Sequence, residues 1–378
     1  MQSAVPIDGA ISGSRSEVAA STGFKTGTTI DANAVKRLAR ELGADLVGIA
    51  SAGTLNAFPP DPQWPQTPER ISPHCKSVIV IVQRIPVGAF RCKYNTAVQY
   101  IDMLVLRKMD KIAYRLASEM ERAGHPTFVT TTSETEWTYK RASYARLSTR
   151  HLGVEAGLGT LGLEVNILTP EFGPRVYLTG ILTELELEPD SPMQEQVCIG
   201  ESCSRCLHSC PANAVLHFGI DKRKCAPVAQ EFGFASMLSI FDGLFASRDT
   251  TAEMFRSRDF FGFWQGLLRV VGSFGDCPRC LAVCPVGHDY HAHLADLQKV
   301  IPEKTPEKVA LGRSFKEARR KHDKGESNKL PGLSDWNVRW VGPEGYRGMV
   351  ARQMQAFKKL QSDRANTSGG SEPDVQET

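Results

Sequence analysis

Eight of the ten cysteines lie between positions 198 and 284, and that crowding limits the possible folds more than any other feature. They read Cys198-x4-Cys203-x2-Cys206-x3-Cys210-Pro211, then Cys225, then Cys277-x2-Cys280-x3-Cys284-Pro285, with Cys75 and Cys92 standing apart. The opening MQSAVPIDGAISGSRSEVAASTG holds no apolar core segment and no twin-Arg pair. No export signal is therefore expected, and the chain reads as cytoplasmic. Thiols stay reduced in that compartment, which argues against a disulfide framework and leaves zinc or iron–sulfur. Structural zinc asks for two pairs of ligands around one tetrahedral ion. Here three or four cysteines crowd a single turn-rich run that ends in Cys-Pro, the bacterial ferredoxin pattern in which the fourth Cys reaches the other cluster.

The spacing has a geometric reading. Two-residue gaps wrap a loop of thiolates around one corner of a cubane, and the three-residue gap leads the last thiolate away. Pro after that Cys suits the start of a helix, where no backbone donor is needed. Two crossing runs then predict two 4Fe–4S clusters. One set is Cys198, Cys203, Cys206 and Cys284; the other is Cys210, Cys225, Cys277 and Cys280. Two features depart from a minimal ferredoxin: the first gap is x4, and 51 residues separate Cys225 from Cys277. That insertion, 226–276, is rich in aromatics (Phe232, Phe241, Phe245, Phe260 and Trp264 among them), and GFASMLSIFDGLFA at 233–246 reads as an amphipathic helix. It is expected to be a local subcore over the clusters, or else a wall of a substrate pocket.

Upstream the pattern is that of an α/β core over 31–190. Residues 1–30 read as a disordered arm. Asp31 is a plausible N-cap for a helix through Val35, Leu38 and Leu42 that Gly43 closes. Strands are expected at Asp45–Ala50, Ser77–Val82, 127–132, Val165–Leu168 and Arg175–Leu187. The uninterrupted SVIVIV at 77–82 predicts burial on both faces. A helix is expected over 97–123. The cluster module is placed at 191–295, and 296–378 is a charged extension whose end reads as disordered. A net charge of +3 gives no ground for a nucleic-acid partner, and no apolar run is long enough to span a membrane.

Two motifs are treated as decoys. Gly157-Leu-Gly159-Thr-Leu-Gly162 satisfies G-x-G-x-x-G, but a helix leads in and a strand follows, the reverse of a dinucleotide fingerprint. His288, His291 and His293 invite a metal reading but are expected on a solvated surface.

AGLGTLGLEVNILTPEFGPRVYLTGILTELELEPD at 156–190, followed by a two-cluster module, resembles the superfamily of cobalamin-dependent reductive dehalogenases and epoxyqueuosine reductases. The resemblance implies a nitroreductase-like core that holds cobalamin base-off, with a C-terminal ferredoxin-like module feeding it electrons. It implies that Ala156, Gly157, Leu158 and Gly159, together with Thr169, Pro170, Phe172, Gly173, Pro174 and Arg175, line the corrinoid. Epoxyqueuosine reductases carry W-I-G-K-N where this chain has Thr160-Leu-Gly-Leu-Glu164. They also carry an essential Asp where this chain has Ser143. The resemblance therefore leans to the dehalogenase branch, of the cytoplasmic, non-respiratory kind.

What that branch implies is reductive cleavage of a small organic substrate, with electrons from an external ferredoxin, flavodoxin or reductase. A Tyr whose pKa is lowered by a neighbouring cation would supply the proton. Tyr144, near Arg141 and Arg146, and Tyr139, beside Lys140, are the candidates, with His151 as a second choice. The alternatives are tRNA modification of the epoxyqueuosine type and a corrinoid-free electron carrier.

Overall fold

The computed structural model describes residues 23–24, 30–60, 65–92, 96–131, 136, 145–229, 234–246, 277–288 and 304–326, with scattered positions between 253 and 264. Asp31 caps α1 (Ala32–Glu41) by accepting the Ala34 amide at 2.6 Å. Such a cap stabilises a helix by about 1 kcal/mol. Gly43, at φ +108°, turns the chain out of α1 towards β1 (Leu46–Ser51), and α2 (Ala52–Ala57) follows directly. The apolar run becomes β2 (Ser77–Arg84), buried from Ser77 to Gln83 as its composition requires. Next come α3 (Val87–Arg91), the long α4 (Thr96–Arg122) and β3 (Thr127–Val129). Then α5 (Thr149–Glu155), the hairpin strands β4 (Thr160–Leu161) and β5 (Ile167–Leu168), and β6 (Val176–Thr183) complete the core.

The main sheet has the order β1-β2-β6-β3, and every neighbouring pair is antiparallel. The mixed α and β class is as expected, but the alternation of strands and helices does not build parallel crossovers. Burial patterning reports which faces of a strand are covered and says nothing of its direction, so the register had to come from the tertiary structure. One face packs Val47, Ile49, Ile79, Ile81 and Ile181 against α1 and α4. The other packs Val78, Val80, Val82, Leu178 and Leu182 against α5, and this core continues without a break to Cys206, Leu207, Phe218 and Phe315. The cysteine module is thus an extension of the sheet's own core.

That module holds α6 (Arg205–Ser209), the short hairpin β7 (Val215–Leu216) and β8 (Gly219–Ile220), α7 (Lys222–Ala229), α8 (Phe234–Ala246) and α9 (Arg279–Val283). α6 and α9 begin R-C-L, pack on each other and end on Cys210 and Cys284. Here the sequence reading is corrected: each Cys-Pro closes a helix instead of opening one. A residue before Pro is driven out of the helical region, and Cys210 and Cys284 adopt ψ +115° and +125°. Within the charged extension, α10 (Pro306–Asp323) docks on α6. Lys308 is buried there and donates to His208 O at 3.2 Å, and Phe315 stacks on His217.

Several strand expectations shorten. Val165 sits at φ +61° in the turn between β4 and β5 and is not part of a strand, while β6 stops at Thr183. β3 ends at Val129, although Thr130 still donates to Gly180 O at 3.1 Å. Among the described residues no helix is long and apolar enough to cross a membrane.

Candidate metal centre

The first cysteine run leaves the sheet core through a tight turn, Gly200–Ser202, and enters α6 at Ser204, which takes the left-handed φ of +47°. That bend lies in the two-residue gap and brings Cys203 and Cys206 to the same side. Across from them, Cys284 closes α9. Cys198, Cys203, Cys206 and Cys284 line one cavity of about 320 Å³ of atom-free space, part of it continuous with solvent. Three of these thiols come from the first run and one from the second. Cys210, Cys225, Cys277 and Cys280 do not line this cavity. Instead Cys280 lies within electrostatic reach of Cys210, Cys225 and Cys277. Cys206 and Cys280, equivalent positions on α6 and α9, are the link between the two groups.

Burial dominates the acid–base character of these thiols. It pushes Cys198 up to about 11 and drives Cys206, Cys280 and Cys284 above the ordinary thiol range, helped by the carboxylate of Glu164. Thiols so placed are protonated at neutral pH, and a metal must displace those protons to bind. Backbone amides already point at sulfur: Gly200 N donates to Cys198 Sγ at 3.4 Å and Ala214 N to Cys210 Sγ at 3.3 Å. Such N–H···S contacts are among the features that set cluster potentials. Among the described residues no three His, Cys, Asp or Glu side chains converge on a point suited to a single metal ion.

Glu164 is the residue that sequence reasoning passed over. It occupies the turn between β4 and β5, next to the strained Val165, whose carbonyl accepts from Arg150 Nη1 at 2.8 Å. Its side chain is 3% exposed, lines the thiol cavity, contacts Cys206 and keeps Oε1 without a hydrogen-bond donor. Desolvation pushes its carboxyl up to about 7. The signal was present: a single acid inside the otherwise apolar stretch TLGLEVNIL is a residue type that is rarely buried without a purpose.

The residues nominated to line a corrinoid are found elsewhere than in a cradle. Ala156, Leu158, Thr169, Phe172 and Arg175 are buried, and Gly159 and Gly173 face the chain itself. A Cβ on Gly159 would meet Leu168 O at 2.2 Å, and one on Gly173 would meet Val286 O at 2.1 Å. Gly157 (φ +67°) likewise faces Ser191 O. Thr169–Gly173 is a closed loop, with amide bonds in both directions and the Phe172 amide bonded to Thr169 Oγ1 at 3.0 Å. His288 N donates to Pro170 O at 3.2 Å, so Pro170 also belongs to this joint, as does Pro174 by position. Among the described residues, Thr169–Arg175 join the sheet core to the second cysteine run, and Ala156–Gly159 pack within the core. Close backbone approach explains the glycines without a ligand.

Tyr139, Tyr144, Lys140 and Arg141 lie outside the described residues, as do Ser143, His291 and His293. His288 is exposed, as expected. Arg146 is half-buried, while His151 is buried in α5 with Nδ1 bonded to Ser148 Oγ. The G-x-G-x-x-G stretch has a helix before it and β4 within it, so it lacks the strand-to-helix context of a dinucleotide site.

No family model matches the chain. An epoxyqueuosine reductase of Bacillus anthracis is 33% identical over 178 residues, 45% of this chain and 39% of that protein. That of Bacillus subtilis strain 168 is 26% identical over 290 residues, covering 72% and 61%. A tetrachloroethene reductive dehalogenase of Sulfurospirillum multivorans is 43% identical over 63 residues, or 16% of this chain and 13% of the relative. A catabolic reductive dehalogenase solved with 3-bromo-4-hydroxybenzoic acid aligns at a TM-score of 0.46 and 19% identity, covering 79% of this chain and 39% of that one. The first two curated relatives are named as reductases, and the chain spans 39% and 61% of their lengths. In sequence the chain is thus similar to epoxyqueuosine reductases and, over a shorter stretch, to reductive dehalogenases.

Proposed function

We propose that this chain is an iron–sulfur oxidoreductase that carries electrons from an external donor, through two 4Fe–4S clusters, to a reductive cleavage on the core side of the module. The observation that carries this reading is the cavity lined by three thiols of the first run and Cys284 of the second. Crossing of that kind is what the two-cluster ferredoxin pattern requires. The donor set suits iron–sulfur: all thiols, one group per run-crossing, and no tight three-ligand point for a single ion among the described residues. Cys198, Cys203, Cys206 and Cys284 would hold one cluster, and Cys210, Cys225, Cys277 and Cys280 the other. Bound clusters supply one-electron transfer; the chain's own part is to bury them, aim amides at sulfur and set their charge environment.

Cobalamin enters this reading through the family resemblance. Of the residues nominated for it, Ala156–Gly159 pack on β1 and β5, and Thr169–Arg175 pack on the second cysteine loop. Dehalogenation of a small organic molecule is the leading activity. Epoxyqueuosine reduction is the second reading, favoured by the 33% identity to an epoxyqueuosine reductase.

The test is anaerobic purification with cobalamin supplied, followed by iron, sulfide, zinc and cobalt analysis and electron paramagnetic resonance. About eight irons per chain are expected from two four-iron clusters. Zinc in the thiol sites, or a colourless protein, would overturn the cluster reading. Cobalt in stoichiometric amount supports the cobalamin partner, and its absence reduces the chain to an electron carrier. Turnover of an organohalide against an epoxyqueuosine-containing RNA, with the same reduced donor, separates the two activities.

A further inference from the structure

We propose that Arg175 is a positioning residue of the first cluster site: its buried guanidinium seats Cys284 there and sets a fixed positive charge against the cluster. The inference deepens the proposed function and rests on it.

Arg175 is 0% exposed and stands at the mouth of β6, just before Val176. Its Nη1 donates to Leu281 O at 2.7 Å and to Cys284 O at 3.0 Å, and its Nη2 donates to Val286 O. The three carbonyls run from inside α9 through Cys284 to the loop beyond it. A helix end leaves carbonyls without intrahelical partners, and a planar guanidinium with several donors can satisfy more than one of them at once. Two glycines make room for the fork. A Cβ on Gly287 (φ +109°) would come within 2.6 Å of Nη2, and one on Gly173 (φ +59°) would meet Val286 O. The loops 172–175 and 284–288 therefore close around the guanidinium, and His288 N completes the joint on Pro170 O.

Cys284 is the only thiol of the first cavity that the second run supplies. Whatever fixes its backbone fixes the fourth corner of that site. A buried cation also needs anions nearby. Glu164 and the Cys284 thiol lie within its electrostatic reach. A thiolate cluster gains negative charge when reduced, so a fixed cation beside it favours the reduced form and raises its potential. A purely structural clamp would hold the loop and leave the potential alone.

Arg175→Gln and Arg175→Lys discriminate, in the full chain loaded anaerobically. The parent protein is measured first; a parent without iron overturns the proposed function and this inference with it. With the parent loaded, Arg175→Gln is expected to lose the first cluster at least tenfold faster under chelator challenge. Its first-cluster midpoint potential, followed by electron paramagnetic resonance, shifts to more negative values while the second cluster's does not. Arg175→Lys keeps the charge and loses the fork, so it should hold the parent potential while still shedding the cluster faster. Parent lifetime and parent potential in Arg175→Gln overturn the proposal. If Arg175→Gln does not fold, parent-like chelator resistance in Arg175→Lys overturns it instead.

Discussion

The two thiol groups share one ligand chemistry and differ in what surrounds them. The first is built against the sheet core, with Cys206 and Cys284 buried, Glu164 in the cavity wall and Arg175 behind Cys284. The second has its four thiols half-buried, and its Cys225 and Cys277 flank the 51-residue insertion. Burial raises Cys198, Cys206 and Cys284 of the first group and Cys280 of the second. The difference teaches that a repeated C-x2-C-x3-C-P run specifies ligands without specifying their environment. The first site differs from the second in borrowing its walls from the core.

The sharpest way to break the comparison is to remove one thiol from each group. Cys284→Ser and Cys277→Ser should each lose about four irons, the content of one cluster. The two variants should lose different resonance signals, even though both residues belong to the second run. If both erase the same signal, the crossing is wrong. Cys198→Ser tests the x4 gap in the same way and should match Cys284→Ser.

Next in size is the pH dependence of cluster assembly. Raised thiols hold their protons at neutral pH, and only thiolates bind metal, so assembly releases protons and strengthens as pH rises. Reconstitution of apo protein between about pH 6.5 and about pH 8.5 should rise with pH for both sites. Cluster signals that grow equally well across that range would show that assembly displaces no protons.

A smaller effect sharpens the role of the joint. Gly173→Ala places a Cβ against Val286 O at a left-handed φ of +59° and should cost about 2–4 kcal/mol in urea unfolding. Gly124→Ala, with φ +97° and nothing within 4 Å, should cost only about 1–2 kcal/mol, from backbone strain alone. Similar losses at both would mean that the contact between core and cysteine loop is slack. Smallest of all, Asp31→Ala should cost about 1 kcal/mol through the lost cap and leave the iron content unchanged, since α1 packs on the sheet face opposite the core that reaches the cysteines.

Much of this was legible beforehand because it depends on local chemistry. The Asp31 cap, the doubly buried SVIVIV strand and the helix at 234–246 follow from side-chain type and period, which act over a few residues. Cysteine spacing nominated the eight ligands for the same reason: loop length limits which thiols can share a corner. The Cys-Pro segments were misread as helix starts because Pro at a helix start and Pro after a helix end look alike until the preceding residue's ψ is known. The glycines of A-G-L-G and T-P-E-F-G-P-R announced close approach without saying to what. The charge of 304–326 hid Lys308 and Phe315, whose burial depends on α6 being there to receive them.

By itself, then, the chain determined its cysteine pattern, its Asp31 cap and its most apolar strand, all consequences of neighbours in sequence. Strand direction, the meeting of Cys284 with Cys198, Cys203 and Cys206, and the burial of Glu164 and Arg175 were decided only in three dimensions. Each depends on desolvation and on contacts between segments distant in sequence, 109 positions apart for Arg175 and Cys284, and no local pattern encodes which distant surface will exclude the water.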